Sequence, residues 1–338
     1  MADSSKRGTD HSGTGSAGAR RSPHRVHSTF CAIDIGGTGS RVLLIDGEGR
    51  HSIAEFERPS KAESALATVE RIVVETKKRY ALPEIRKVRV GATGFNGVVP
   101  DIDGLGERLA RRVRLVDLIV ADDSVSWALG ALGDEPGVVV AMGTGLVALG
   151  VGANGQLSHV DGSGPFLGDR GSGWWVGRQG LIAAIASAEG RAGGSAMLLD
   201  AARDSFGDLA ALPDRLRNDA NPHATIATFA VDVVLAAEAQ DDEARRILND
   251  VGRHTATAVI AAARRAELPA RHKLVLVGGL SKAVGLFADS LRERLANQGF
   301  DPDLDEPVSD ALSGALRLHV VASNSGLVRH WSRKESTQ

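Results

Sequence analysis

Residues 31–50 read CAIDIGGTGSRVLLIDGEGR: an apolar run that reaches Asp34, a turn of small residues, a second apolar run and another glycine-rich turn. A phosphate-binding loop of the common type leads into a helix, whose N-terminus meets the phosphates. Here residues 42–45 are Val, Leu, Leu and Ile, which predict a second strand. The stretch therefore predicts a hairpin with a carboxylate held at its rim.

A second copy of this pattern occupies residues 137–156, GVVVAMGTGLVALGVGANGQ. The two copies lie about 107 residues apart, from Gly36 to Gly143, which is too long for a solenoid repeat. Strands and helical patterns alternate in each half, so the sequence predicts an α/β protein of two lobes with related cores. Each lobe would offer one hairpin to a shared cleft.

Composition and charge narrow the class of protein. The chain has 338 residues, 43% hydrophobic and 24% charged, with a net charge of -2. Such a balance gives no general attraction to nucleic acid or to a membrane surface. No apolar run approaches the roughly 20 residues that span a bilayer. The single cysteine, Cys31, lies in the first predicted strand and cannot form an internal disulfide, so we expect a reduced, cytoplasmic setting.

The first 28 residues are rich in Ser, Gly, Arg and His and have almost no apolar content. They lack the hydrophobic region of a signal peptide and cannot help to bury a core. We expect residues 1–28 to form a disordered tail, with a weak anion-binding arm as the alternative.

The glycine-rich turns suit a polyphosphate. Glycine lets backbone N–H groups approach a ligand closely, and successive N–H groups form anion-binding concavities. Thr38, Ser40 and Thr144 add hydroxyl donors, and Asp34 is placed to hold Mg²⁺, through water. One such hairpin is often only a structural turn. Two copies, together with a third glycine pair at residues 278–279, favour a nucleotide site.

Three of these segments resemble known motifs. DIGGTGSR, AMGTGLVALG and LVLVGGLSKA are similar to the phosphate-1, phosphate-2 and adenosine motifs of the actin/sugar-kinase/Hsp70 superfamily. The block GSGPFLGDRGSGWWVGRQGL, residues 162–181, resembles that of N-acetylglucosamine kinases and BadF/BadG-type ATPases, and the resemblance covers roughly residues 30–325. It implies an α/β two-lobed ribonuclease-H-like fold with ATP and Mg²⁺ in the cleft. The lobes would be 29–136 and 137–338, the second with a helical insertion; whether the last helix packs on the first lobe stays open.

The resemblance also implies site residues. Those expected at the nucleotide are Gly36, Gly37, Thr38, Gly39, Ser40, Arg41, Gly143, Thr144, Gly145, Gly278, Gly279 and Lys282. Those expected at the sugar are Lys61, Thr144, Gly164 and Asp169, and the metal residue is Asp34. Asp169 could instead be a turn or cap carboxylate. We interpret Trp174 and Trp175 as packing residues rather than as a sugar-stacking platform.

Two aspartates follow the predicted strand LVDLIV. Phosphoryl transfer to a sugar hydroxyl gains from a carboxylate that accepts its proton, and in the family an Asp after this strand has that role. The spacing to the Gly-Thr-Gly turn favours Asp123 as the base, with Asp122 as the alternative. A structural role, such as an N-cap of the next helix, is the third possibility, and one aspartate could cap while the other reacts.

The sequence departs from the family pattern where sugar contacts are expected. Arg170 replaces a glutamate, Ser163 a tryptophan, Lys61 an asparagine, and Leu146–Val147 a Ser-Asn pair. The added cations could favour an anionic substrate or pair with nearby carboxylates such as Asp122 and Asp169, and we favour pairing.

The function expected from the resemblance is an ATP-dependent amino-sugar kinase acting on the 6-hydroxyl of N-acetylglucosamine, with glucosamine or another hexosamine as the alternative. A non-catalytic sugar sensor is a further alternative. An activator of radical dehydratases would need several cysteines for an iron–sulfur cluster, and the chain has one. We also expect a homodimer, no nucleic-acid or membrane partner, and movement of loop 91–99 on closure over the sugar.

Overall fold

A computed structural model describes residues 29–36, 39–46, 48–57, 63–95, 97–321 and 326–333. The predicted tail and three predicted site residues, Gly37, Thr38 and Lys61, lie outside the described residues. So do Asn96 in the predicted moving loop and Ser60 beside Lys61.

The first sheet has six strands in the order β11-β5-β4-β1-β2-β3. The strands are β1 (Phe30–Ile35), β2 (Ser40–Ile45), β3 (His51–Phe56), β4 (Lys87–Ala92), β5 (Asp117–Asp122) and β11 (Val328–Ser332). The predicted hairpin is confirmed, because β1 and β2 pair antiparallel with Asp34 opposite Arg41. β4 and β5 run parallel to β1, so the carboxyl ends of the three strands share one edge.

Two helices pack on this sheet, α1 (Ala65–Arg79) and α2 (Asp103–Val113). In α1, the helical spacing of Val69, Ile72 and Val73 buries all three, and Ser64 caps the first turn. Strand β1, buried along most of its length, carries Cys31, as predicted, and burial raises the pKa of the Cys31 thiol to about 12.

The second sheet has five strands in the order β10-β9-β6-β7-β8. Its strands are β6 (Gly137–Met142), β7 (Leu146–Val151), β8 (Leu157–Asp161), β9 (Lys273–Val277) and β10 (Asp303–Asp305). β6 and β7 form the second predicted hairpin, and β9 lies parallel to β6. Each of the two sheets thus contains one of the two predicted antiparallel hairpins.

Helices cover the second sheet and form the largest apolar core. The helices are α4 (Gly173–Ala188), α5 (Ala196–Phe206), α6 (Leu212–Asn218), α7 (Pro222–Thr228), α8 (Ala230–Glu238), α9 (Asp242–Arg265) and α10 (Ala288–Ala296). A 3₁₀ segment, Leu280–Leu286, connects β9 to α10, and a short one, Leu318–Val320, follows the last helix. In the described parts of the chain, no helix has the length and apolar character needed to cross a membrane.

Two helices lie between the sheets, α3 (Asp123–Leu132) and α11 (Ala311–Leu316). Their apolar faces share one core with residues of both sheets, such as Ala32 of β1 and Val139 of β6. The two helices touch backbone to backbone: a Cβ at Gly314 would lie 1.6 Å from the carbonyl oxygen of Ser126. After α11 the chain reaches β11, which joins the first sheet beside β5.

Candidate active site

The shared edge of the first sheet presents a group of carboxylates. Asp122 is the last residue of β5, and Asp34 lies one residue before the end of β1. The register aligns Asp34 with Gly91 of β4, and Asp122 with the neighbouring Ala92. Because parallel strands end together, this edge collects the first hairpin and the start of α3.

Asp122 is the N-cap of α3. Its carboxylate accepts hydrogen bonds from the backbone N–H of Ser124 at 3.2 Å and from the Ser124 hydroxyl at 2.6 Å. It also accepts one from the N–H of Gly97 at 3.1 Å. The side chain is buried, so these donors supply the partners that an ionised carboxylate needs. Of the two aspartates, Asp122 therefore has the capping role.

Asp123 is the first residue of α3 and has a different environment. Burial raises the pKa of this carboxyl to about 6, and the negative charge of Asp122 adds to the effect, with a smaller contribution from Asp34. A carboxyl that titrates near neutrality is suited to accept a proton at physiological pH. The structure therefore separates two adjacent aspartates into a cap and a group with a raised pKa.

Arg41, expected at the nucleotide, binds two carboxylates. Its guanidinium lies 2.9 Å from the Asp34 carboxylate and 2.7 Å from that of Asp310, which caps α11. The hydrogen bond from Arg41 to Asp34 is the main reason that the pKa of Arg41 is raised. This bridge ties the first hairpin to the helix pair between the sheets.

The residue expected to hold Mg²⁺ is Asp34, near the end of β1. Among the described residues, one oxygen of Asp34 accepts a hydrogen bond, from Arg41, and the other accepts none. The described ranges hold no cluster of three or more His, Cys, Asp or Glu residues that could bind a metal. Mg²⁺ in nucleotide sites usually keeps several waters and takes one or two carboxylates plus phosphates. Asp34 fits that mode of binding.

A backbone hydrogen bond joins the two ends of the turn in the first hairpin. The N–H of Gly36 donates to the carbonyl of Gly39 at 2.9 Å. At the start of β2 the hydroxyl of Ser40 is buried and has no hydrogen-bond partner among the described residues. An unpartnered hydroxyl beside a glycine turn could bind a ligand oxygen.

A cavity of about 530 Å³ joins the second hairpin to the 3₁₀ segment after β9. Four predicted nucleotide residues line it: Gly143, Thr144, Gly279 and Lys282. The opposite wall is α8, which sequence reasoning missed; its Val231 and Leu235 are 63% and 56% exposed. Exposed aliphatic side chains facing a cavity suit a flat apolar ring.

Gly278 does not line this cavity, but it connects the end of β9 to Gly279, which does. The φ of Gly278, +99°, is strained for residues with a side chain, and a Cβ there would lie 2.6 Å from the carbonyl oxygen of Met142. Glycine thus lets β9 and the second hairpin meet at the cavity.

The block 162–181 supports the second hairpin. The first N–H groups of α4 donate to it, Gly173 to the carbonyl of Gly143 at 2.8 Å and Trp174 to that of Thr144 at 3.1 Å. The hairpin is closed by the N–H of Gly143, which donates to the carbonyl of Gly145 at 3.0 Å. The first N–H groups of α4 therefore form hydrogen bonds within the protein.

Asp169 is buried and faces the same hairpin. Its carboxylate accepts from the N–H of Leu146 at 3.1 Å, and its own N–H donates to Asp161 at 2.8 Å. Burial raises the pKa of Asp169. Gly164 begins the turn that leads to it and accepts from the N–H of Gly168 at 2.8 Å. One carboxylate oxygen of Asp169 thus binds the second hairpin. The other oxygen accepts no hydrogen bond from the described residues.

The pairing expected for Arg170 is absent. In the described ranges, Arg170 forms no ion pair or side-chain hydrogen bond with Asp169, Asp122 or another residue. Trp175 packs on the large core, as predicted, and meets His254 edge to face at 5.0 Å. Trp174 contacts His223. Both tryptophans line a second cavity with Arg170.

The two sheets, each with its hairpin, and the helix pair between them define the two-lobed fold of actin-like ATPases, to which sugar kinases belong. The sequence profile of the BadF/BadG/BcrA/BcrD ATPase family matches residues 32–316. The chain belongs to this family, and ATP is therefore its expected nucleotide.

Known relatives include amino-sugar kinases. The chain is 30% identical over 168 residues to an N-acetyl-D-glucosamine kinase of Dictyostelium discoideum, a match over 44% of this chain and 51% of that protein. It thus spans about half the length of this curated relative. A structure from Chromobacterium violaceum, assigned as an N-acetylglucosamine kinase, is 26% identical with a TM-score of 0.58, over 86% of this chain and 98% of that one.

A second structure with that assignment, from Porphyromonas gingivalis, is 17% identical with a TM-score of 0.57. It covers 87% of this chain and 98% of its own. At this identity the likeness supports the fold alone.

Proposed function

We propose that this protein is an ATP-dependent amino-sugar kinase that transfers the γ-phosphoryl group of ATP to the 6-hydroxyl of N-acetylglucosamine. The observation that carries the proposal is Asp123, a half-buried carboxyl at the start of α3 with a pKa of about 6. It lies at the sheet edge where the first hairpin and the start of α3 meet. The relatives that act on N-acetylglucosamine support the choice of acceptor.

Asp123 is proposed as the general base. A sugar hydroxyl has a high pKa, so its attack on phosphorus is helped by a carboxylate that takes the proton as the bond to phosphorus forms. A base with a pKa near 6 is mostly ionised at neutral pH and holds the proton better than an ordinary aspartate. Asp122 keeps the start of α3 in place and so holds the base in position.

The nucleotide is proposed to lie along the 530 Å³ cavity, with its base against α8 and its phosphates toward the hairpins. Backbone N–H groups of the turns and the hydroxyls of Ser40 and Thr144 would bind phosphate oxygens. The side chain of Lys282 adds a positive charge at the cavity wall. Mg²⁺, when bound with ATP, neutralises phosphate charge, and Asp34 is the residue that would hold it.

The acceptor is proposed to contact Asp169, Gly164 and Thr144, with Lys61 as a further contact. Asp169 retains an oxygen with no donor among the described residues and is close to the second hairpin. Hydrogen bonds from sugar hydroxyls to that carboxylate would orient the acceptor.

The test is coupled ADP release with Mg·ATP and N-acetylglucosamine, glucosamine, N-acetylmannosamine and glucose side by side. We expect turnover with N-acetylglucosamine and a loss of at least about 10²-fold in kcat for Asp123→Asn. Asp103→Asn, an exposed aspartate in the first turn of α2, is the matched control and should leave turnover unchanged. Identification of the product as the 6-phosphate would fix the position of transfer.

The proposal would be overturned by the absence of ADP release above background with every sugar. Calorimetry would then show whether a sugar binds without reacting, which is the behaviour of a sensor.

A further inference from the structure

A second cavity, of about 560 Å³, lies beside the proposed acceptor site. One wall is the turn that carries Phe166, Leu167 and Arg170, and the other is the start of α4 with Trp174 and Arg178, closed by His254 of α9. We name this cavity the arginine groove. Nothing in the proposed phosphoryl transfer to N-acetylglucosamine requires it.

The groove carries positive charge without a protein counter-charge. Arg170 and Arg178 line it, and neither has a carboxylate partner or side-chain hydrogen bond in the described parts of the chain. No described aspartate or glutamate lines the groove. The acidic residue nearest in sequence, Asp169, turns away and binds the second hairpin. The two guanidinium groups are therefore free to bind an anion.

Aromatic rings complete the groove. The guanidinium of Arg178 lies 5.9 Å from the ring centre of Trp174, a cation–π contact that holds the arginine over the indole. The indole N–H of Trp174 is shielded from solvent and has no acceptor among the described residues. Phe166 is 87% exposed at the rim. Apolar rings beside two guanidinium groups suit a ligand with both a hydrocarbon face and an acid group.

The turn connects this groove to the acceptor site. Gly164 and Asp169, both proposed to contact the sugar, lie in the same turn as Phe166 and Arg170. Asp169 has a φ of +59°, and here the chain reverses so that Asp169 is buried while Arg170 is exposed in the groove. A sugar held by Gly164 and Asp169 would therefore lie against the same turn whose residues Phe166 and Arg170 line the groove.

We infer that the arginine groove binds an acid group, a carboxylate or a phosphate, carried by the sugar acceptor. The inference rests on the proposed kinase function and deepens it, because it assigns the substrate class as an acidic amino sugar. Arg170 and Arg178 form ion pairs with the acid group, and Trp174 packs against the adjoining hydrocarbon.

The experiment compares acidic acceptors with their neutral counterparts on the full chain. The acceptors are N-acetylmuramic acid, its methyl ester, N-acetylglucosamine and N-acetylglucosamine 1-phosphate. We expect one acid to have a KM at least about tenfold below that of its neutral counterpart, with a similar kcat. Preference for N-acetylmuramic acid would identify a carboxylate ligand, and preference for the 1-phosphate a phosphate ligand.

Variants connect the preference to the groove. Arg170→Gln and Arg178→Gln should each raise KM for the preferred acid by about tenfold and leave KM for N-acetylglucosamine unchanged, because only the acid meets the guanidinium groups. Arg170→Lys should restore part of the affinity, since it keeps the charge. Arg203→Gln on α5, an exposed arginine outside the groove, is the matched control.

Equal KM values for acidic and neutral sugars in the unaltered protein would overturn the inference and leave the kinase proposal standing. If no sugar is phosphorylated, the kinase proposal fails. Calorimetry with N-acetylmuramic acid and N-acetylglucosamine 1-phosphate then tests separately whether the groove binds an acid group. Binding of an acid that weakens about tenfold in Arg170→Gln would support the inference that the groove binds acid groups. The absence of binding, or an affinity unchanged in both Arg170→Gln and Arg178→Gln, would refute it.

Discussion

Replacing Asp123 by asparagine should stabilise the protein while removing its activity. In the folded state burial, and next the charge of Asp122, raise the pKa of Asp123 from 3.8 to about 6. One pKa unit corresponds to about 1.4 kcal/mol, so keeping this carboxylate ionised in the folded state costs about 3 kcal/mol. Asparagine removes the charge and nearly keeps the shape.

The expected gain depends on pH, and its sign follows from the raised pKa. Below pH 3.8 the carboxyl is protonated whether the chain is folded or unfolded, so the destabilisation is absent. It grows as pH rises from about 4 to about 6 and is complete above that. A negative charge at the first turn of α3 is itself favourable by about 0.5 kcal/mol, which reduces the net gain to between about 2 and 3 kcal/mol.

Urea unfolding followed by circular dichroism would measure this difference. The free energy of unfolding of Asp123→Asn should exceed that of the unaltered protein by about 2 kcal/mol at pH 8 and by much less at pH 4. Asp103→Asn should show no such pH dependence, because that side chain is exposed. A loss of stability at pH 8, or a gain of equal size at both pH values, would refute the reasoning.

Three other measurements test the site. The acid limb of kcat/KM should lie near pH 6, and Asp122→Asn should shift it toward lower pH but not below 3.8, because burial of Asp123 remains. Gly278→Ala should lower the melting temperature and weaken ATP binding, since its Cβ would meet a backbone carbonyl at 2.6 Å, whereas Gly279→Ala should fold normally, with no atom within 4 Å. Arg41→Gln should raise KM for Mg·ATP, because the Asp34 carboxylate at the proposed metal position loses the guanidinium that holds it in place. An unchanged KM would contradict this positioning role of Arg41.

The hairpins could be predicted from sequence because their signals are local. Each is an apolar run, a glycine turn and another apolar run, and both occur as expected. The two adjacent aspartates could not be separated in the same way. Which of them caps α3 depends on where the helix begins, and a shift of one residue would exchange their environments.

Other elements have weak local signals or depend on distant partners. Helix α2 contains Gly104 and Gly106, and the second of these glycines is where Trp331 of β11 packs. β11 itself reads VRHWS, too polar to stand out, and becomes a strand by pairing with β5. The arginine groove is closed by His254, about 80 residues beyond the turn. Such contacts are set by the tertiary fold.

The pairing of β11 with β5 has a consequence for how the protein is made. β11 lies about 200 residues after β5, yet it borders the strand that leads into the two aspartates. During synthesis β5 leaves the ribosome long before the strand that covers its edge, so the first sheet stays open while the second half is translated. Nascent chains therefore expose a β edge for most of translation. The edge of β5, the strand that leads into Asp122 and Asp123, is therefore covered only once the last strand of the first sheet has been made.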